Sequence, residues 1–216
     1  MLIEKFFELA PNPNQVEVTA VLSKLLTQYS APHRHYHNLI HLECGLHTYF
    51  TMYSKIDVTD FFAWVYHDVV YHPLDSDNEN KSAGYFLKDS VALGFNIAQK
   101  EQWEVADVIS NKILETAHAS KSHSFVNDMD LSTLGMDKSQ YEHYADLIRQ
   151  EYVPPLSEEA FTLGRIQVLE QLLSDEHNPI FWDREFRDKF ESQARMNLSV
   201  EVGQLQLKKA AISEKV

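Results

Sequence analysis

The run FFAWVYHDVVY, residues 61–71, is apolar on every face except at one adjacent pair, His67-Asp68. A helix that is apolar all round has to be enclosed by other elements, so this segment predicts a central helix buried on most sides. Asp57 or Thr59 precedes it as an N-cap, and His72-Pro73 ends it. What encloses it should be helical as well. Glycine is scarce, at six residues, and the short alternating runs that mark strands are hard to find. The expected fold class is all-α, a single compact multi-helix bundle.

Apolar stripes at helical spacing supply the neighbours. Val18, Leu22, Leu25, Leu26 and Tyr29 form one, entered through Pro11-Asn12-Pro13 and closed by Pro32. Ile40, Gly45, Leu46, Tyr49, Phe50 and Tyr53 form a second, from Asn38 to about Tyr53, with His41 one turn before Gly45. The polar segment LDSDNENKSA leads into a helix carrying Ala83, Phe86, Leu87 and Val91, with Gly94 just past its end. A longer helix is expected from about Ala98 to His118, then a connection over 119–129 and a short turn from Asp130 closed by Gly135. Helices at about 139–152, 157–174 and 182–203 follow, separated by Pro154-Pro155 and Asn178-Pro179. No repeat, low-complexity tract or linker-like shift in composition divides the chain. One domain over 1–216 is the economical reading.

Composition narrows the function classes. A single cysteine, Cys44, excludes a disulfide framework and a thiolate zinc cage, and makes the reducing cytoplasm the expected compartment. Its place one turn from His41 reads as packing on an apolar face. The first residues, MLIEKFFELAPNPN, hold an apolar stretch too short to span a bilayer and two acidic residues that argue against a secretory leader. No later segment reads as a membrane span. With 32 acidic against 19 basic side chains, the net charge of -13 opposes a phosphate backbone, so duplex nucleic acid is not an expected partner. Tyr141, Tyr144 and Tyr152 read as sealing a helix interface rather than stacking bases.

An ionised carboxylate inside an apolar helix costs several kcal/mol unless it is paired or metal-bound. Asp68 therefore demands a partner. The plain reading is a buried Asp that caps a neighbouring helix or pairs with an arginine, with His67 as a satisfied core residue. The alternative is a site for a divalent cation, which suits an imidazole and a carboxylate. Two ligands are too few, so others must come from separate elements. His41, in YHNLIH, is one candidate; Asp128 and Asp130, in NDMDLSTLG, are the downstream carboxylates.

A His, then His-Asp, then a distant Asp resembles the HD superfamily of metal-dependent phosphohydrolases. HRHYHNLIH at 33–41, WVYHDVVY at 64–71, DNENKSA at 77–83, NDMDLSTLG at 127–135 and ARMNL at 194–198 are similar to motifs of one bacterial branch, whose substrate is undefined. The resemblance spans about Tyr29 to Leu198. It implies an HD-type helical domain, with the site core in about 29–135 and the helices of about 139–213 packed on it, and metal ligands His41, His67, Asp68 and Asp130. Asp128 then becomes an acceptor for a ligand histidine. The expected cofactor is a divalent ion, Mn, Fe, Co, Ni, Zn or Mg. Four protein ligands leave coordination positions open on a six-coordinate ion and none on a tetrahedral zinc.

Around that ion, Glu79 at the mouth of the next helix is a candidate to orient water or protonate a leaving oxygen, against the reading of an exposed acid favoured by the helix dipole. His118 is a candidate proton shuttle, phosphate donor or ligand to a second metal, against a C-terminal cap. Arg34, His35, Tyr36 and His37 form a donor cluster suited to an anionic oxygen, against a solvated loop. Arg165 and Arg195 are further candidates for substrate, although helical arginines usually pair with carboxylates such as Glu170 or Glu191. The expected activity is hydrolysis of a phosphomonoester or phosphoanhydride in a small phosphorylated metabolite or nucleotide. The alternative is a metal- and nucleotide-binding sensor without turnover. Monomer and homodimer both remain open.

Overall fold

The computed structural model describes residues 1–95, 99–117, 124–174 and 179–213. Among these residues the chain is all-helical, as expected: α1 (Leu2–Leu9), α2 (Gln15–Tyr29), α3 (Leu39–Phe50), α4 (Val58–Tyr66), α5 (Asn78–Leu93), α6 (Lys100–Leu114), α7 (Phe125–Leu131), α8 (Lys138–Tyr152), α9 (Glu158–Leu173) and α10 (Arg184–Ser213), with a 3₁₀ turn at Ser132–Gly135. No described helix is long and apolar enough to cross a membrane. The chain divides into two compact units, Met1–Met129 and Asp130–Val216, and the division falls inside α7.

Local chemistry sets the helix starts. Asn38 caps α3 by accepting from the amides of Ile40 and His41, and Asp57 caps α4 by accepting from Thr59. Asn14, Asp137 and Ser157 do the same for α2, α8 and α9. Gly94 closes α5 in the left-handed conformation, φ 99°, where a side chain would be strained. The Pro11-Asn12 entry docks on that end: the Asn12 amide donates to Leu93 O at 2.9 Å and its side chain to Ala92 O at 2.8 Å.

The first unit is built on α4. Phe61, Phe62, Ala63, Trp64, Val65 and Tyr66 are all buried, and α4 packs against α5 and α6. Phe6 of α1, a helix the sequence reading did not anticipate, meets Phe61 and Phe62 edge-on. Each such ring contributes roughly 1.5–3 kcal/mol by leaving water. Polar tips within this core find partners: Tyr29 donates its hydroxyl to Val65 O and Trp64 its indole N–H to Leu42 O, at 2.9 and 3.0 Å. Lys112 of α6 reaches Asp60 at 2.5 Å.

The expected helix over 61–71 stops at Tyr66. Beyond it the backbone is claimed by side chains from elsewhere: Arg34 donates to Asp68 O and Val69 O, and the Ser82 hydroxyl bonds both the amide and the carbonyl of Val70. Three smaller differences accompany this one. Residues 125–131, expected as the end of a connection and the start of a short turn, form α7, and α10 runs on to Ser213. Cys44, expected to pack, is exposed.

In the second unit α10 packs against α9 and the 3₁₀ turn. Gly135 permits a close approach, since a Cβ there would lie 2.4 Å from Cβ of Phe190. Asn197 donates to the carbonyls of Leu134 and Met136 at 2.8 and 2.9 Å, holding the turn that follows α7.

Candidate metal centre

Three elements bring ligand atoms together. His41 lies in the first turn of α3, His67 caps the end of α4, and Asp130 lies in the last turn of α7, the helix that begins in the first unit. One ligand atom from each falls within 4.8 Å of the others, and both histidines are buried. Asp128 precedes Asp130 by two residues on the same helix, a rotation of about 200° that points the two side chains apart. Asp130 is the carboxylate that joins the histidines.

The tautomer of His67 follows from its neighbours. Its Nδ1 lies 2.6 Å from the carbonyl oxygen of Trp64, which can only accept, so Nδ1 carries the proton and donates it there. The Nε2 atom then faces Nε2 of His41 at 3.4 Å and Oδ2 of Asp68 at 3.0 Å. Electron-rich atoms this close, in a buried setting, require positive charge among them, a proton or a cation. The spacing suits a cation: two nitrogens about 2.1 Å from a common tetrahedral ion stand about 3.4 Å apart, and about 3.0 Å apart when cis on an octahedral one.

Aromatic rings hold the imidazoles in place. Trp64 stacks on His67 with centroids 4.6 Å apart and lies 5.0 Å from His41, while Tyr36 meets His41 at 4.7 Å. Burial opposes ionisation of Asp68, but the imidazoles of His67, His37 and His41 outweigh it and hold the carboxyl well below the usual carboxylate range.

The other candidate residues separate into groups. His37 comes to the site: its Nε2 lies 3.9 Å from Oδ2 of Asp68 and its ring stacks on Tyr71 at 4.0 Å. Tyr36 comes with it, buried. Arg34 is also buried, with both terminal nitrogens donating to backbone carbonyls. Glu79 stands half-buried in the first turn of α5, with no hydrogen bond or ion pair among the described residues. His118 lies outside the described residues.

Both helical arginines have carboxylate partners. Arg165 grips Glu201 through two bonds of 2.9 and 3.1 Å, and Arg195 reaches Glu191 at 2.7 Å. Tyr141 and Tyr144 belong to the Arg165 network: Tyr141 donates to Glu201, and the Arg165 guanidinium lies over the Tyr144 ring. Burial pushes the Tyr144 phenol up, Arg165 opposes this, and Asp130 and Glu201 add to the rise.

Trp64 and Tyr71 were not among the sequence candidates. The only signal for them was their place in the run that also carries His67-Asp68. No family model matches this chain, and no match is found among curated proteins or solved structures.

Proposed function

We propose that the chain is a metal-dependent phosphohydrolase of the HD type, acting on a small phosphorylated metabolite or nucleotide. The observation that carries the reading is the convergence of His41 Nε2, His67 Nε2 and Asp130, with Asp68 Oδ2 against His67. His41, His67, Asp130 and Asp68 would hold the ion, and nitrogen and oxygen donors of this kind suit Mn, Fe, Co, Ni or Zn better than Mg. When bound, a divalent cation supplies Lewis acidity toward a phosphoryl oxygen and lowers the pKa of water.

The chain's own groups do the rest. The Trp64 carbonyl orients His67, and the Trp64, Tyr36 and Tyr71 rings wall the site with apolar surface, which strengthens every electrostatic interaction inside it. His37 Nε2, held beside Asp68, is placed to donate to a substrate oxygen. The order His41, His67-Asp68, Asp130 resembles the superfamily's, and the acidic net charge turns the substrate class away from nucleic acid.

The experiment is metal analysis of the purified protein, followed by turnover of phosphomonoesters and nucleotides with added Mn, Co, Ni or Mg. Wild type should bind about one ion or more and hydrolyse at least one substrate, whereas Asp68→Ala and His67→Ala should keep their helical signal and lose activity by at least about a hundredfold. Metal binding without turnover across the panel would reduce the protein to a binding module. Absence of metal binding would sink the reading.

A further inference from the structure

Resting on Asp68 as a ligand, we infer that Arg34 is a positioning residue, whose buried guanidinium ties the loop carrying His37 to the turn carrying Asp68 and so sets where both side chains stand. Nη1 donates to His37 O at 3.1 Å and to Asp68 O at 2.7 Å, and Nη2 donates to Val69 O at 3.0 Å. The group is 6% exposed and lies between two rings, 5.0 Å from Tyr29 and 5.6 Å from Tyr71. Its Nε is buried without a hydrogen-bond partner. An arginine placed to satisfy only itself would not leave a donor orphaned. This one is fixed by the three carbonyls it bridges.

The loop end of this tie is rigid as well. Asn38 donates to Arg34 O at 3.3 Å and to His35 O at 2.8 Å, while its Oδ1 caps the first turn of α3, which carries His41. Arg34 thus joins the turn after α4 to the segment that sets both His37 and His41. The requirement is for a fork: a planar guanidinium reaches three carbonyls in one geometry, and a lysine ammonium on a flexible stem does not.

The test compares wild type, Arg34→Lys and Ser82→Ala. Ser82 bonds the same turn one residue further on, at Val70, and serves as the control for loosening alone. Three quantities are read: thermal unfolding, Mn²⁺ affinity by calorimetry, and the magnetisation transfer between the His37 and Tyr71 rings in metal-free protein. Arg34→Lys should lose the ring-to-ring signal and bind Mn²⁺ about 10–100-fold more weakly. Ser82→Ala should lose stability and keep both. A folded Arg34→Lys with unchanged affinity and an intact ring signal overturns the inference, as does an equal loss in Ser82→Ala. Should Arg34→Lys not fold, Arg34→Gln carries the same comparison. Wild type that binds no divalent ion removes the metal reading alone, since the ring signal still decides what Arg34 does.

Discussion

Replacing Gly45 with alanine drives a methyl group into the indole that underlies the candidate metal centre. A Cβ on Gly45 would stand 2.2 Å from Cζ2 of Trp64, 2.8 Å from Cη2 and 2.9 Å from Cε2. Carbon atoms rest about 3.5–4.0 Å apart, so the ring must shift by more than about 1 Å. Trp64 is wholly buried, and its N–H is bonded to Leu42 O at 3.0 Å. Overpacking of this kind costs about 1–3 kcal/mol, and a weakened indole bond adds about 0.5–1.5 kcal/mol. Alanine returns about 1 kcal/mol of helix propensity. The balance is a loss of about 2 kcal/mol, or about 4–8 °C in Tm for a chain of this size. Because the Trp64 indole stacks on His67 and its carbonyl accepts the His67 Nδ1 hydrogen bond, Mn²⁺ affinity should fall with stability. Thermal unfolding by circular dichroism and calorimetric metal titration read the two effects. A Tm at or above wild type, as helix propensity alone would give, with unchanged affinity, refutes the reasoning.

Three further substitutions test the charges buried in the first unit. Burial pushes the Asp60 carboxyl up even with Lys112 bonded to it, so Lys112→Met should cost about 3 kcal/mol at pH 7, and a second change, Asp60→Leu, should recover part of that loss; denaturant unfolding of the single and double variants measures it. Burial likewise raises the Asp89 carboxyl, with the Tyr66 hydroxyl and Lys24 pulling the other way. A raised folded pKa means that this group's contribution is complete below its unfolded value of about 3.9 and is lost as pH rises through the folded one. Asp89→Asn should therefore raise Tm at pH 7, with a gain that fades as pH falls below about 4; a destabilised variant at pH 7 would contradict the assignment.

Helix starts and stops written in local chemistry were legible in the sequence. Asn38 opens α3, Asp57 opens α4 and Gly94 closes α5 because each acts on backbone within a few residues of itself. The end of α4 was not legible, because Arg34 and Ser82, which hold the chain beyond Tyr66, are far away in sequence. The seven-residue α7 offers too few turns for a periodic stripe. At the site, His41 and the His67-Asp68 pair stood out by type and surroundings, whereas the choice between Asp130 and Asp128 depended on recognising α7 as a helix that turns them to different sides. The arginines show the converse. Residue type suggested anion binding for Arg34, Arg165 and Arg195; the sequence also offered Glu191, the partner Arg195 meets, while the carbonyls that Arg34 meets and the Glu201 that Arg165 meets come only from the fold.

The bond from His67 to the Trp64 carbonyl changes how the centre tolerates substitution. Histidine ligands are commonly oriented by a carboxylate side chain, which a single substitution can delete. Here the acceptor is main chain, present whatever residue occupies position 64. The orientation of His67 is thus protected from loss of its partner and exposed to anything that moves the end of α4. A saturation scan should accordingly find it sensitive at Arg34, whose side chain holds the backbone just past the helix end, rather than at any dedicated acceptor. The aim of His67 is encoded in the length of a helix.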